Sequence, residues 1–221
     1  IVIIPARGGS KGIPGKNIKI FNGKPLINYS IEYALESDLI SEVFVSTDNH
    51  KIAEISENMG AKIIWRPNHI SGDTATTESA VEHALTQIQM NPKQIILLQA
   101  TSPLRPKNSL SKIIEHFNYN NFDSLLTISP THRFFWELKN DIATANYDYL
   151  NRPRRQDMKD SEIKYIENGS VYIFTKNNFK ETKNRLGGKI GYYIFPEEYS
   201  FELDSINDWF SLEQIAQHIK N

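Results

Sequence analysis

The sequence predicts an α/β fold, a mostly parallel sheet with helices on both faces. Three observations predict it. Short apolar, β-branched runs recur along the chain, segments with apolar residues at helical spacing lie between them, and a glycine-rich cationic loop directly follows the first run. Such runs read as strands buried on both faces, the pattern of parallel sheets. Alternation of strand and helix implies right-handed crossovers. Ligands of sheets built this way bind beyond the carboxyl ends of the strands.

Residues 1–4 form the first expected strand. From Ile4 to Asn17 the chain reads Ile-Pro-Ala-Arg-Gly-Gly-Ser-Lys-Gly-Ile-Pro-Gly-Lys-Asn. Glycines let backbone approach a ligand closely and let successive N–H groups converge on an anion. Arg7, Lys11 and Lys16 beside such a loop suit a polyphosphate. A basic surface turn is the competing reading, and it accounts less well for so many glycines and cations together. The loop is not a P-loop, because Lys16 precedes Asn17 rather than Ser or Thr. Its glycine spacing is not the dinucleotide fingerprint either.

Further strands are expected at 43–45, 63–65, 95–98 and 125–128, and later at 171–174 and 190–195. Helical spacing joins Leu26, Ile27, Ile31, Ala34 and Leu35, then Ile52, Ile55 and Met59. It recurs at Val81, Ala84, Leu85 and Ile88, and at Leu110, Ile113, Ile114 and Phe117. A last amphipathic helix is expected to bury Phe210, Leu212, Ile215 and Ile219. Residues 131–165 break this rhythm and read as an inserted arm. Its aromatics, Phe134, Phe135, Trp136, Tyr147 and Tyr149, suggest an interface between two copies more than a satellite core.

At 221 residues the chain fits one domain, 1–221, with a full core. A net charge of -1 argues against a nucleic-acid partner. The absence of cysteine excludes a disulfide framework and a thiolate metal site. No stretch approaches the ~20 apolar residues of a membrane span. The chain opens directly in a strand, so no signal peptide is expected and a cytoplasmic enzyme is the simplest placement.

Four later segments carry candidate chemistry. Val-Ser-Thr-Asp at 45–48 ends the second strand, and Asp48 there could orient a ribose, bind a metal or cap the following helix. The segment from Arg66 to Thr77 offers a planar donor fork and a hydroxyl for reading a base edge. An ordinary loop with Thr76 or Thr77 as helix cap fits the same spacing. Leu-Leu-Gln-Ala-Thr-Ser-Pro-Leu-Arg at 97–105 ends the fourth strand, where polar residues face the cleft of the sheet. Thr101, Ser102 and Arg105 read equally as residues that close the turn. Glu202 and Asp204 fall on one face if 202–204 is extended, an arrangement suited to Mg²⁺. A solvated acidic turn before the last helix is the alternative.

Together these motifs resemble the CMP-sialic acid synthetases, over residues 1–209 and in the family's order. That resemblance implies a Rossmann-like fold of the nucleotide-diphospho-sugar transferase type. It implies a cytidylyltransferase that joins CTP to a nonulosonic acid and releases pyrophosphate, with N-acetylneuraminic or legionaminic acid as first choices. A CMP-KDO synthetase and a non-catalytic nucleotide-binding subunit are the alternatives. By the same resemblance Arg7, Gly8, Ser10, Lys11, Lys16 and Asn17 hold the triphosphate, and Arg66, Ala75 and Thr77 contact cytosine. Gln99 binds the acceptor sugar, although Ala100 stands where the family has proline. Arg-Pro-Arg-Arg-Gln-Asp at 152–157 and Glu-Asn-Gly-Ser at 167–170 match the animal enzymes, which assigns Arg154, Arg155, Gln156, Glu167 and Asn168 to the sugar. Clustered arginines suit its carboxylate. Glu202 and Asp204 correspond to the family's Asp-x-Asp metal pair for Mg²⁺ or Mn²⁺, with Glu202 departing from it. Arg7, Lys16 and Asp204 would then carry catalysis, and a homodimer with exchanged arms would complete the sugar site.

Overall fold

A computed structural model describes residues 1–158 and 163–220 of the chain. The centre of its sheet is β1 (Val2–Pro5), whose Val2, Ile3 and Ile4 are fully buried. It pairs in parallel with β4 (Val43–Thr47) on one side and β6 (Gln94–Leu98) on the other. Beyond β4 lies β5 (Lys62–Trp65), again parallel. The far flank departs from the simple pattern. There β10 (Lys164–Thr175) runs antiparallel to both β6 and β7 (Ser124–Thr131), and β11 (Ile190–Ile194) closes the edge parallel to β7. The sheet order is therefore β11-β7-β10-β6-β1-β4-β5, mostly parallel as the sequence predicts. Two short strands, β2 (Ile20–Phe21) and β3 (Lys24–Pro25), make a small hairpin after the glycine loop.

Strand alternation sends β1 side chains to two separate cores. Val2 and Ile4 meet α1 (Leu26–Leu35) and α4 (Ser109–Tyr119), with Ile52 of α2 (His50–Asn58). Ile3 meets α3 (Thr77–Gln87) and Phe179 of α5 (Lys176–Thr182) on the opposite face. A third cluster joins Ile13 of the glycine loop, Phe21, Leu203 and α6 (Ile206–Lys220). The stripe that α6 buries is not the expected one. Trp209, Leu212 and Ala216 are inside, and Phe210 is 61% exposed. The Trp209 indole decides the rotation: it packs edge-on against Phe21 at 5.4 Å and donates Nε1–H to Glu213.

The β10–β7 pairing shifts register between Glu167 and Tyr172. Asn168 holds that bulge from inside, accepting from Thr127 Oγ1 at 2.6 Å and Ser170 N at 3.2 Å and donating to Ser129 Oγ at 3.1 Å. The arm expected at 131–165 carries its own two-stranded hairpin, β8 (Trp136–Lys139) and β9 (Ile142–Ala145); residues 159–162 of this arm lie outside the described residues. Phe134, Trp136 and Tyr147 cluster, with Phe134 and Tyr147 ring centroids 4.2 Å apart. Phe135, Leu138, Ile142 and Leu150 stay exposed. No helix among the described residues is long and apolar enough to cross a membrane.

Candidate active site

The glycine loop leaves β1 and turns through a short 3-10 segment, Lys16–Ile18. Its shape is held from three sides. Asn17 donates Nδ2–H to the Arg7 carbonyl at 3.0 Å, and the Gly8 N–H donates to Asp48 Oδ1 at 2.8 Å. At Gly12 the backbone lies directly against the Asp204 carbonyl, which a Cβ would overlap. Lys16 spans the same gap: its ammonium donates to the Leu203 carbonyl at 2.5 Å and sits 3.5 Å from Asp204 Oδ1. The loop and the acidic segment thus form one unit.

A cleft of about 300 Å³ opens between them, at the carboxyl ends of β1 and β6. Arg7, Ser10, Lys11, Lys16 and Asn17 line one wall. Thr77, Gln99, Thr101 and Asp204 line the rest. Gly8 stands behind the loop, contributing its N–H to Asp48 rather than to the cleft. Asp48 therefore braces the loop, while the cap of α2 is its neighbour Asn49, which accepts from Lys51 and Ile52 N–H groups.

Arg66 is buried, outside the lining of this cleft, and fixed by the end of β4. Nε donates to Ser46 Oγ at 3.2 Å and Nη2 to the Ser46 carbonyl at 2.6 Å. Burial lowers its pKa, Asp48 opposes that shift, and Arg7 adds to it. Thr76, not Thr77, caps α3 by accepting from Ser79 N–H at 3.1 Å, which leaves the Thr77 hydroxyl on the cleft side. Ala75 lies in the half-buried turn between them, its N–H on the Gly72 carbonyl.

Gln99 is positioned by its own carbonyl, which accepts from Arg105 Nη2 at 2.8 Å and from Ser30 Oγ at 3.4 Å. Arg105 is a strut. It also donates to Ser30 and to the Ser170 carbonyl, lies over the Tyr33 ring, and has no salt-bridge partner among the described residues. Burial pulls its pKa down to about 10. Ser102 likewise closes the turn, donating to the Asn168 carbonyl.

The 201–204 segment is anchored by the Leu203 N–H on the Thr101 carbonyl at 2.8 Å. Leu203 is buried in the third cluster, and the charge of Asp204 reaches the Glu202 carboxyl. The Glu202 carboxylate rests on Gly169, whose φ of +60° and lack of a side chain make room for it. Burial raises the Glu202 pKa, and the charges of Asp204 and then Glu167 raise it further. Glu167 in turn accepts a hydrogen bond from the Tyr172 hydroxyl. No group of three metal-ligating side chains is gathered among the described residues. Asp204 and Glu202 could still hold a hard divalent cation, because Mg²⁺ takes one or two carboxylates and completes its shell with phosphates and water.

Two outcomes follow from this packing. In Gly169→Ala the nearest atoms to the new methyl are the flexible end of Glu202, so the fold loses about 1 kcal/mol from the left-handed φ. The displaced carboxylate should raise the half-saturating Mg²⁺ concentration about tenfold, read from activity titrations. Glu202→Gln should raise the melting temperature of the nucleotide-free protein at pH 7 by about 1–2 °C, solvent screening keeping it small. A raised carboxyl pKa means stability present at low pH and lost as pH rises through the folded value. The advantage of Gln should therefore shrink as melts are recorded at lower pH.

The remaining expected sugar contacts are elsewhere. Asn168 is fully buried with its amide committed to Thr127, Ser129 and Ser170, where the polar side chain fills a strand bulge. Arg154 pairs with Asp157 at 2.5 Å and Arg155 with Glu197 at 2.9 Å. Both line a separate groove on the arm with Arg133, Phe134 and Trp136, and Gln156 lies exposed in the turn between Arg155 and Asp157. None of the three lines the cleft of the glycine loop. The residue that sequence reasoning missed is Asp73, which pairs with both Arg7 and Lys11. Its only signal was a carboxylate in a Ser-Gly-Asp-Thr turn near the carboxyl end of a strand.

Comparison with known proteins now bears on this geometry. A sequence profile described as Cytidylyltransferase matches residues 1–219. The N-acylneuraminate cytidylyltransferase of Oncorhynchus mykiss is 36% identical over 219 residues, covering 96% of this chain and 49% of that protein. The Escherichia coli enzyme of the same name is 30% identical over 224 residues, covering 100% and 52%. The chain spans about half the length of these relatives. The pseudaminic acid cytidylyltransferase of Campylobacter jejuni is 32% identical over 216 residues, covering 94% of this chain and 92% of that one. Among solved structures, CMP:2-keto-3-deoxy-manno-octonic acid synthetase complexed with CTP superposes with a TM-score of 0.72 at 17% identity, covering 99% and 98% of the two chains. A 4-diphosphocytidyl-2C-methyl-D-erythritol synthase from Anaerococcus prevotii gives 0.67 at 11% identity, covering 98% of each. These two share the fold. By the profile and the full-length relative, the chain belongs to the cytidylyltransferase family, the one that contains the CMP-sialic acid synthetases its motifs resemble.

Proposed function

We propose that this protein transfers the cytidylyl group of CTP to a nonulosonic acid and releases pyrophosphate. The observation that supports it most is the convergence of three loop cations, Gln99 and Asp204 on one cleft at the carboxyl ends of β1 and β6. The anomeric hydroxyl of the acid loses its proton to solvent and attacks the α-phosphate as the bond to pyrophosphate breaks. Charge builds on the phosphate oxygens, so Arg7, Lys11 and Lys16 act by electrostatic stabilisation and positioning. Arg66, rigid on Ser46, and Thr77 read the cytosine edge beside Ala75. Gln99, held by Arg105, orients the acceptor, and Glu167, which accepts from the Tyr172 hydroxyl, is a second acceptor contact. Asp204, with Glu202 beside it, holds Mg²⁺ or Mn²⁺, which when bound offsets charge on the phosphates and the attacking oxygen.

A cytoplasmic homodimer belongs to the same proposal. Its exchanged arms bring Arg154, Arg155 and Gln156 of one copy to the acceptor site of the other. The exposed apolar side chains of the arm support that arrangement. N-acetylneuraminic and legionaminic acids remain the first choices, and the pseudaminic acid relative adds a third. Pyrophosphate release with CTP and Mg²⁺, measured against these acids and KDO, tests the proposal. Release with one nonulosonic acid names the substrate. Release with KDO alone favours the alternative acceptor, and silence with every acid in protein that binds CTP refutes the transfer.

A further inference from the structure

The two outer cations of the glycine loop already have an anionic partner. Arg7 Nη2 lies 3.2 Å from one Asp73 oxygen and Lys11 Nζ 2.7 Å from the other. Arg7 Nη1 also donates to the Gly72 carbonyl at 2.5 Å. A carboxylate bridging both cations takes the place that two oxygens of a phosphate group would take. The bond from Lys11, and then the charges of Lys11 and Arg7, hold the Asp73 carboxyl below its usual range.

The carrier of this carboxylate is an exposed turn whose backbone is tied at the Gly72 carbonyl to Ala75 and Arg7. Ser71 is tied to the Pro67 carbonyl at 3.0 Å, and Thr76 caps α3. Between these anchors Gly72, Asp73 and Thr74 are exposed, and nothing lies within 4 Å of the space beside Gly72. Exposed ion pairs are weak and screened. A single carboxylate held this way yields to a polyphosphate whose β- and γ-groups reach both cations, whereas a lone phosphate seated at the α position leaves Arg7 and Lys11 to Asp73.

Resting on the assignment of this cleft to the CTP triphosphate, we propose that Asp73 is a built-in occupant of the phosphate site that sets discrimination between CTP and cytidine nucleotides with a single phosphate. It leaves when the β- and γ-phosphates arrive and returns to Arg7 and Lys11 as pyrophosphate departs. Its role is therefore opposite to that of a ligand: removing its charge tightens triphosphate binding.

The test is calorimetric titration of wild type, Asp73→Asn and Asp73→Glu with inorganic tripolyphosphate, CTP and CMP at low salt, with melting temperatures to verify folding. Asp73→Asn is expected to bind tripolyphosphate and CTP about three- to tenfold more tightly, from the loss of two exposed pairs. CMP affinity should stay within about twofold, and Asp73→Glu should behave as wild type. Unchanged or weaker CTP binding by Asp73→Asn, or equal tightening toward CMP, overturns the inference while leaving the nucleotide site standing. Wild-type protein that binds neither CTP nor tripolyphosphate overturns the site assignment and the inference together.

Discussion

Asp204→Ala is expected to lower kcat about a thousandfold at saturating CTP and Mg²⁺, the scale of losing a main electrostatic stabiliser of the transition state. The fold should barely notice. The Asp204 side chain is 76% exposed, and its pair with Lys16 is a loose 3.5 Å. Lys16 keeps its bond to the Leu203 carbonyl, and the Asp204 N–H keeps its bond to Asp208. Surface changes of this kind stay within about 0.5 kcal/mol. Steady-state kinetics beside a thermal melt separates the two effects. A near-normal kcat removes Asp204 from the chemistry, and an unfolded variant shows that the segment is structural.

Gly12→Ala is expected to do comparable damage by another route. Its methyl would overlap a backbone carbonyl, that of Asp204, and no rotamer change relieves that contact. The glycine loop and the 201–204 segment must separate, carrying Lys16 away from the Leu203 carbonyl and from Asp204. Displacement of about 1 Å in a site that works by positioning costs on the order of 100-fold, and KM for CTP should rise as kcat falls. Gly9→Ala is the control, because nothing lies within 4 Å of a methyl there. Equal, mild kinetics for both variants would mean that the two segments are not one unit.

How far the sequence went depends on the kind of force that shaped each part. Continuous apolar runs are legible because a strand covered on both faces tolerates little else, which suits β1, β4, β6 and β7, whereas the edge strand β5 shows only the short run Ile63–Trp65. β10 was found only at its apolar end. Its polar half, Glu167 to Ser170, belongs to a bulge where Asn168 replaces ladder bonds with side-chain bonds, and no periodicity announces that. The rotation of α6 was misjudged because Trp209 outweighs Phe210 through a partner, Phe21, nearly two hundred residues away along the chain. The hairpin β8–β9 is exposed on both faces, so it lacks a burial pattern to read.

The site was legible where close backbone approach demands glycine and cations. It was not legible where a side chain serves a neighbour. Asp48 and Asn17 brace the loop, Arg105 braces Gln99, and Tyr172 holds Glu167. Each looks in sequence like an ordinary polar residue, since its meaning lies in a partner brought near only by the fold.

The most direct test of the central claim is mass analysis of the products formed from CTP, Mg²⁺ and N-acetylneuraminic, legionaminic or pseudaminic acid. Cytidylyl transfer yields a species joining CMP to one of these acids, formed in equal amount with pyrophosphate and absent in Asp204→Ala. CTP consumed to CDP or CMP with no joined product, or a joined product undiminished in Asp204→Ala, would contradict it.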